Sequence, residues 1–254
     1  MRFVVTLASI TVLEALRERL LWLAALVIVA GVALAQFLHQ VAITESREIQ
    51  TAVLAALLRM SAAFIVAIVV VSGMAREWND KITELLLSFP VRRSLYVLGK
   101  FLGYAAVCGL LAVVFAVPLA LYARSSGVLA WTASLVCELL IVAAVSVFCM
   151  LTLTRTLSAL AAIAGFYLLA RSMSTIQVIA QATPEPASLA DRLVARAADA
   201  IAWILPALDR MTDTAWLIQA PPGIGVLAAF AAQSALYVAL VGAAALFDLY
   251  RKDL

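Results

Sequence analysis

Long apolar runs separated by short polar breaks dominate the chain. Six of them are long enough to cross a bilayer, which takes about 20 apolar residues per helix. They are Leu20–His39, Thr51–Ala75, Leu95–Ala123, Leu129–Leu153, Leu157–Ile179 and Gly225–Leu249. The runs are continuous rather than alternating, which predicts helices and not the strands of a membrane barrel. A helix also satisfies each backbone N–H and C=O within its own segment, as hydrocarbon demands. The expected fold is therefore an all-α, polytopic transmembrane bundle of six helices.

Two segments outside the runs carry patterns of their own. Phe3, Leu7, Ile10, Leu13, Leu16 and Leu20 recur at spacings of three and four, with Arg2, Thr6, Ser9, Arg17 and Glu18 mostly off that stripe. This predicts an amphipathic helix over residues 1–19 on the membrane surface, because Glu14, Arg17, Glu18 and Arg19 would be costly in lipid. Ala33-Leu34-Ala35 has the small-residue form of a signal-peptidase site, but it follows a run long enough to span, so a retained first span is expected. The longest stretch between spans, 180–224, is punctuated by Pro184, Pro186, Pro206 and Pro221-Pro222-Gly223. Leu189, Leu193, Ala197, Ile201, Ile204 and Leu208 form a helical stripe within it. Short helices on the outer leaflet are expected there, and a surface helix and a gate over a substrate path remain equally open.

Composition sharpens this picture. Hydrophobic residues make up 66% of the 254, charged residues 13%, and the mean hydropathy is +1.09. Soluble domains have about 45–50% apolar and about 25% charged residues, so a water-soluble fold is excluded. The net charge of +3 is small and its bearers are scattered, which argues against a nucleic-acid partner. Cys108, Cys137 and Cys149 are odd in number and far apart, so neither a disulfide framework nor a metal site is expected.

Basic residues set the orientation. With the N-terminus inside, the inner set is Arg2, Arg17, Arg19, Arg76, Lys81, Arg92, Arg93, Lys100, Arg155, Arg251 and Lys252. The outer set is Arg47, Arg124, Arg192, Arg196 and Arg210, so the bias of eleven to five predicts both termini in the cytoplasm of a multi-pass protein of the cell membrane.

The densest charge lies between the second and third runs. Trp78, Ile82, Leu85 and Phe89 fall on one helical face, and Glu77 and Lys81 sit at i,i+4 in the favourable order. Pro90 disfavours helical geometry at Phe89, and Ser94 can cap the helix that follows. A short amphipathic helix, a sharp break and a new helix are expected. Its charged face would be free for a soluble partner.

The loop resembles the first cytoplasmic loop of type-2 ATP-binding-cassette (ABC) exporter permeases. The resemblance rests on Arg76-Glu77-Trp78-x-Asp80-Lys81-x-x-Glu84-Leu85-Leu86-Leu87-Ser88-x-Pro90-Val91-x-Arg93-x-x-Tyr96-x-Leu98-Gly99-Lys100. More loosely, the amphipathic N-terminal helix, the long outer segment and the basic tail Arg251-Lys252-Asp253-Leu254 fit as well. It implies that 1–254 is a single permease domain and that 76–94 holds a cytoplasmic coupling helix docking on a separate ATPase subunit. Glu77, Trp78, Asp80, Lys81 and Glu84 would meet that subunit, with Pro90, Arg92 and Arg93 fixing the exit geometry. It further implies an assembly of two ATPases with two permeases, the second being another copy or a related chain. No GxxxxGK[ST] phosphate loop occurs here, so the permease would carry no cofactor, and ATP and Mg would bind in the partner.

Arg59, Glu138 and Arg171 fall within the runs, where ionisable residues are expensive. They are candidates for a translocation path, and equally for a buried structural tie. Gly99-x-x-x-Gly103 permits close helix packing at the start of the third run. With His39 the sole histidine, and neither HExxH nor Gly-x-Ser-x-Gly, a membrane enzyme is disfavoured. An ion-coupled secondary transporter and a non-transporting anchor or regulatory subunit are the alternatives to the exporter permease. No Met or Cys pairs suit soft-metal transfer, and the sequence does not specify a substrate.

Overall fold

The computed structural model describes residues 2–17, 20–41, 46–81, 93–153, 155–181, 196, 205–206, 208–211, 214–218 and 222–251. Among these the secondary structure is helical without strands. The helices are α1 (Arg2–Arg17), α2 (Leu20–Val41), α3 (Ser46–Asn79), α4 (Arg93–Ala120), α5 (Ser125–Leu153), α6 (Thr156–Gln181), α7 (Leu208–Met211), α8 (Ala215–Ile218) and α9 (Ile224–Arg251). Six of them, α2 to α6 and α9, are long and apolar enough to cross a membrane, so the all-α six-span architecture expected from the sequence holds.

α3 has 34 residues. At 1.5 Å per residue it is roughly 50 Å long, against about 30 Å of hydrocarbon. It therefore carries Arg47 and Glu48 at one end and Arg76 and Glu77 at the other beyond the apolar layer.

α5 is the centre of the bundle and packs against α3, α4, α6 and α9. In its most apolar stretch 67% of residues are buried, against 6% for α9. Small residues such as Ala130, Ser134, Ala143 and Ala144 let neighbours approach α5 from several sides, and all four are buried. The peripheral spans keep large apolar side chains outward, among them Trp22, Leu26 and Val29 on α2 and Leu236, Leu240 and Phe247 on α9.

α1 docks along α4. A Cβ added at Gly99 would stand 2.7 Å from Leu7 Cδ2, and one at Gly103 would stand 2.7 Å from Thr11 Cβ. The glycine pair of α4 is thus the groove that receives α1. The buried face of α1 is Leu7, Thr11 and Ala15. Ile10 and Leu13, part of the sequence stripe, are more than half exposed. The glycines make room for Leu7 and Thr11, while Ile10 and Leu13 turn away from the groove. Gly103→Val should therefore undock α1. The check is a Leu7→Cys/Gly99→Cys disulfide in a background without Cys108, Cys137 and Cys149. It is expected to form readily while Gly103 is kept and poorly once the Gly103→Val substitution is added.

Residues 208–211 and 214–218 of the long connecting stretch lie on the bundle. α7 packs on α5 and α6, and α8 on α3 and α5. Leu208, Met211 and Leu217 are buried. A Cβ at Gly127 would stand 2.5 Å from the Trp216 carbonyl oxygen, so glycine is required where α8 crosses the start of α5. Trp216 stacks on Phe230 of α9 with ring centroids 5.8 Å apart. Leu189, Leu193, Ala197, Ile201 and Ile204 lie outside the described residues.

Candidate functional site

Two polar clusters interrupt the apolar packing. The first is at the loop-bearing end, where α3 and α4 form the stems of the loop. α3 ends at Asn79, and Lys81 adopts φ 56°, the left-handed conformation that terminates helices. The Asp80 N–H donates to the Arg76 carbonyl at 2.8 Å, and the Lys81 N–H to the Trp78 carbonyl at 3.2 Å. The chain thus turns at Asp80 and Lys81, and Ile82, Leu85 and Phe89 lie outside the described residues. The i,i+4 pair of Glu77 with Lys81 is replaced by a different partner.

Glu77 turns inward instead. Its side chain is 7% exposed and pairs with Lys100 of α4, itself 1% exposed. Tyr96 Oη donates to Glu77 Oε2 at 3.2 Å, and Lys100 Nζ reaches Thr11 Oγ1 of α1 at 3.4 Å. Lys100 Nζ also lies 5.9 Å from the centre of the Tyr104 ring. The expectation that Glu77 faces a soluble partner is corrected accordingly, for a buried carboxylate requires a cation and a donor, and α4 supplies both. Lys100 is similarly an internal group rather than a surface marker of topology.

Around this tie, Arg76 Nη2 and Glu14 Oε1 stand 3.5 Å apart at the surface. Partial burial, aided by the neighbouring Glu77, raises the Glu14 pKa above its ordinary value, while Lys100 and Arg76 oppose the rise. Asp80 and Lys81 are exposed. Arg93, at the far stem, donates to the Leu249 carbonyl of α9 at 2.8 Å and lies over the Tyr250 ring. A cation there satisfies a terminal carbonyl and complements the helix dipole. The loop stems are thereby joined to α1 and α9 as well as to each other. Trp78 is partly buried against the core. Glu84, Pro90 and Arg92 lie outside the described residues.

The second cluster lies within the spans and unites Arg59, Glu138 and Arg171. Arg59 and Glu138 are fully buried, with Arg59 Nη1 to Glu138 Oε2 at 2.8 Å. Arg59 Nη1 also donates to the Met211 carbonyl at 3.1 Å. Arg59 Nη2 donates to Ser134 Oγ at 2.8 Å and to the Trp131 carbonyl at 3.3 Å. The guanidinium carbon is 5.1 Å from the centre of the Trp131 ring. Tyr167 Oη donates to Glu138 Oε1 at 2.9 Å, and Arg171 Nη1 stands 3.1 Å from Tyr167 Oη and 3.5 Å from Glu138 Oε1. Arg171 keeps 22% of its side chain exposed.

This network stitches α3, α5, α6 and α7 together. Two cations share one carboxylate, and Arg59 and Glu138 are closed to any path in this conformation. Sequence reasoning found the three charged members but not Ser134, Tyr167, Trp131 or Met211. Ser134 precedes Glu138 by four residues and Tyr167 precedes Arg171 by four, so helical spacing carried a signal for both. Neither cluster resembles a metal centre, and among the described residues there is no group of three His, Cys, Asp or Glu able to hold an ion.

Comparison with known proteins agrees with the architecture. No curated protein matches the chain. The family model described as ABC-2 family transporter protein matches residues 36–208, more than half of the sequence. The chain belongs to the ABC-2 family of transporter permeases, as a multi-pass membrane subunit.

Proposed function

We propose that this permease is the transmembrane half of an ATP-driven exporter, energised through the loop 76–94 by a separate ABC ATPase. The observation that carries the reading is the construction of the loop stems. Glu77 and Lys100 lock α3 to α4, Thr11 adds α1, and Arg93 adds the end of α9. A displacement imposed on the loop would then move four helices together rather than bend one. ATP binding would favour one arrangement of the bundle over another, and that difference in affinity is what makes transport directional.

In this reading two permeases pair with two ATPases, the loop end faces the cytoplasm, and ATP and Mg reside in the partner. Asp80, Lys81 and Glu84 meet the ATPase surface, while Glu77 holds the stem from within. The secondary-transporter alternative is disfavoured by Glu138, whose carboxylate is fully buried and held by Arg59, Tyr167 and Arg171 rather than open to an ion.

The test is co-expression with candidate ABC ATPases and purification through a tag on this chain. Wild type should retain an ATPase that Glu84→Arg loses, with membrane insertion unchanged. If no ATPase co-purifies and none is stimulated, the exporter reading fails.

A further inference from the structure

At the end of the bundle away from the 82–92 loop, a cavity of about 420 Å³ opens between the start of α3, the turn from α4 to α5, and α8. Arg47 from the first turn of α3 and Arg124 from the α4–α5 connection enter its wall, joined by Glu48 and Tyr122, while Leu217 and Ile218 of α8 supply an apolar side. Both arginines are exposed, and among the described residues neither guanidinium has an ion-pair partner. They differ in this from Arg59, Arg76, Arg93 and Arg171, each of which is paired or capping within the protein.

The depth is informative. The apolar run of α3 begins at Thr51, which also lines the cavity. The arginines therefore sit where hydrocarbon gives way to headgroups. Leu121, also on the rim, is 79% exposed and extends the apolar side toward lipid. The site thus presents two planar cations above an apolar wall. Guanidinium groups suit phosphate oxygens because their paired N–H donors match that geometry. Glu48 sets the charge balance. Two arginines against one carboxylate leave a single positive charge, which balances the one negative charge of a phosphodiester, and the apolar side formed by Leu121, Leu217 and Ile218 favours a lipid over free phosphate.

We infer that this cavity is a binding site for a lipid phosphodiester headgroup, held by Arg47 and Arg124 with its chains along Leu121, Leu217 and Ile218. The inference is independent of the coupling proposal and would hold for a non-transporting subunit.

The test uses the full chain in detergent, with lipid retention read by native mass spectrometry. The probes are phosphatidylglycerol and inorganic phosphate. Arg47→Gln/Arg124→Gln should weaken phosphatidylglycerol binding about 10-fold, as loss of charge-assisted hydrogen bonds implies. Arg155→Gln, at the opposite end, should leave it unchanged. Glu48→Gln should strengthen it by removing the one carboxylate beside the arginines. Should the double variant fail to give monodisperse protein, each single arginine variant is expected to lose about 3-fold. Undiminished lipid binding in the arginine variants overturns the site. Equal competition by inorganic phosphate in the wild type overturns the lipid assignment.

Discussion

Replacing Arg59 by methionine should destabilise the bundle by about 3–5 kcal/mol, the range for removing one partner of a buried ion pair. Arg59 serves four acceptors: Glu138 Oε2, Ser134 Oγ and the carbonyls of Trp131 and Met211. Methionine fills much of the volume but leaves Glu138 with Tyr167 and the more distant Arg171 at 3.5 Å. Arg59→Met/Glu138→Gln removes the uncompensated charge and should recover a large part of the loss. The carbonyl of Met211 would still lack its donor in both variants, so α7 should loosen in both. Thermal unfolding in detergent reads the first effect. Maleimide labelling of Leu208→Cys, in a background without native cysteines, reads the second. Arg171→Gln should be milder than Arg59→Met, since Arg171 is partly exposed and its contact to Glu138 is longer. A structural tie would be ruled out if Arg59→Met proved no more harmful than Arg155→Gln.

The six spans were legible because hydropathy integrates over many residues, and no single substitution alters the outcome. The intramembrane charges were legible for a related reason: Arg59, Glu138 and Arg171 stand out by their cost in lipid alone. Their joint partnership was not. Which helices touch depends on packing, and hydropathy is blind to it. The sequence reading left a tie between Glu138 and an arginine open, and the structure has Glu138 held by both. Trp131 and Met211 take part through backbone carbonyls, which every residue carries and no pattern distinguishes.

At the loop end the misreadings share one origin. Counting Lys100 and Glu77 as solvent-facing follows from treating charge as a surface property. Here each charge is the other's partner, and burial follows from their pairing across two helices. The stripe of α1 was legible in part: Leu7 meets Gly99 and Leu20 is buried, whereas Thr11, which meets Gly103, is off the stripe and Ile10 and Leu13 turn outward. The Gly-x-x-x-Gly spacing was the correct clue, and what it lacked was a partner helix. The turn at Lys81 was not legible because side-chain periodicity does not report a backbone turn.

Lys100→Met should produce the largest effect at that end, for it strands a carboxylate in a buried site. Glu77 would keep Tyr96 as a donor but lose the cation it pairs with, while Arg76 is directed to Glu14 at the surface. Breaking such a pair costs about 3–5 kcal/mol. Thr11 would also lose its link to Lys100, so α1 should loosen along with the loop stems. Glu77→Gln/Lys100→Met keeps an acceptor for Tyr96 without the stranded charge, and should restore stability more fully than it restores coupling. That separation is the point of the experiment. Thermal unfolding should rank the single variant well below the double. The Leu7–Gly99 cysteine cross-link should be weak in the single variant and partly recovered in the double. Stimulation of a co-purified ATPase should stay low in both if the tie transmits loop motion to α1. Full stimulation by a stable double variant would mean that the pair holds the fold together without carrying the coupling.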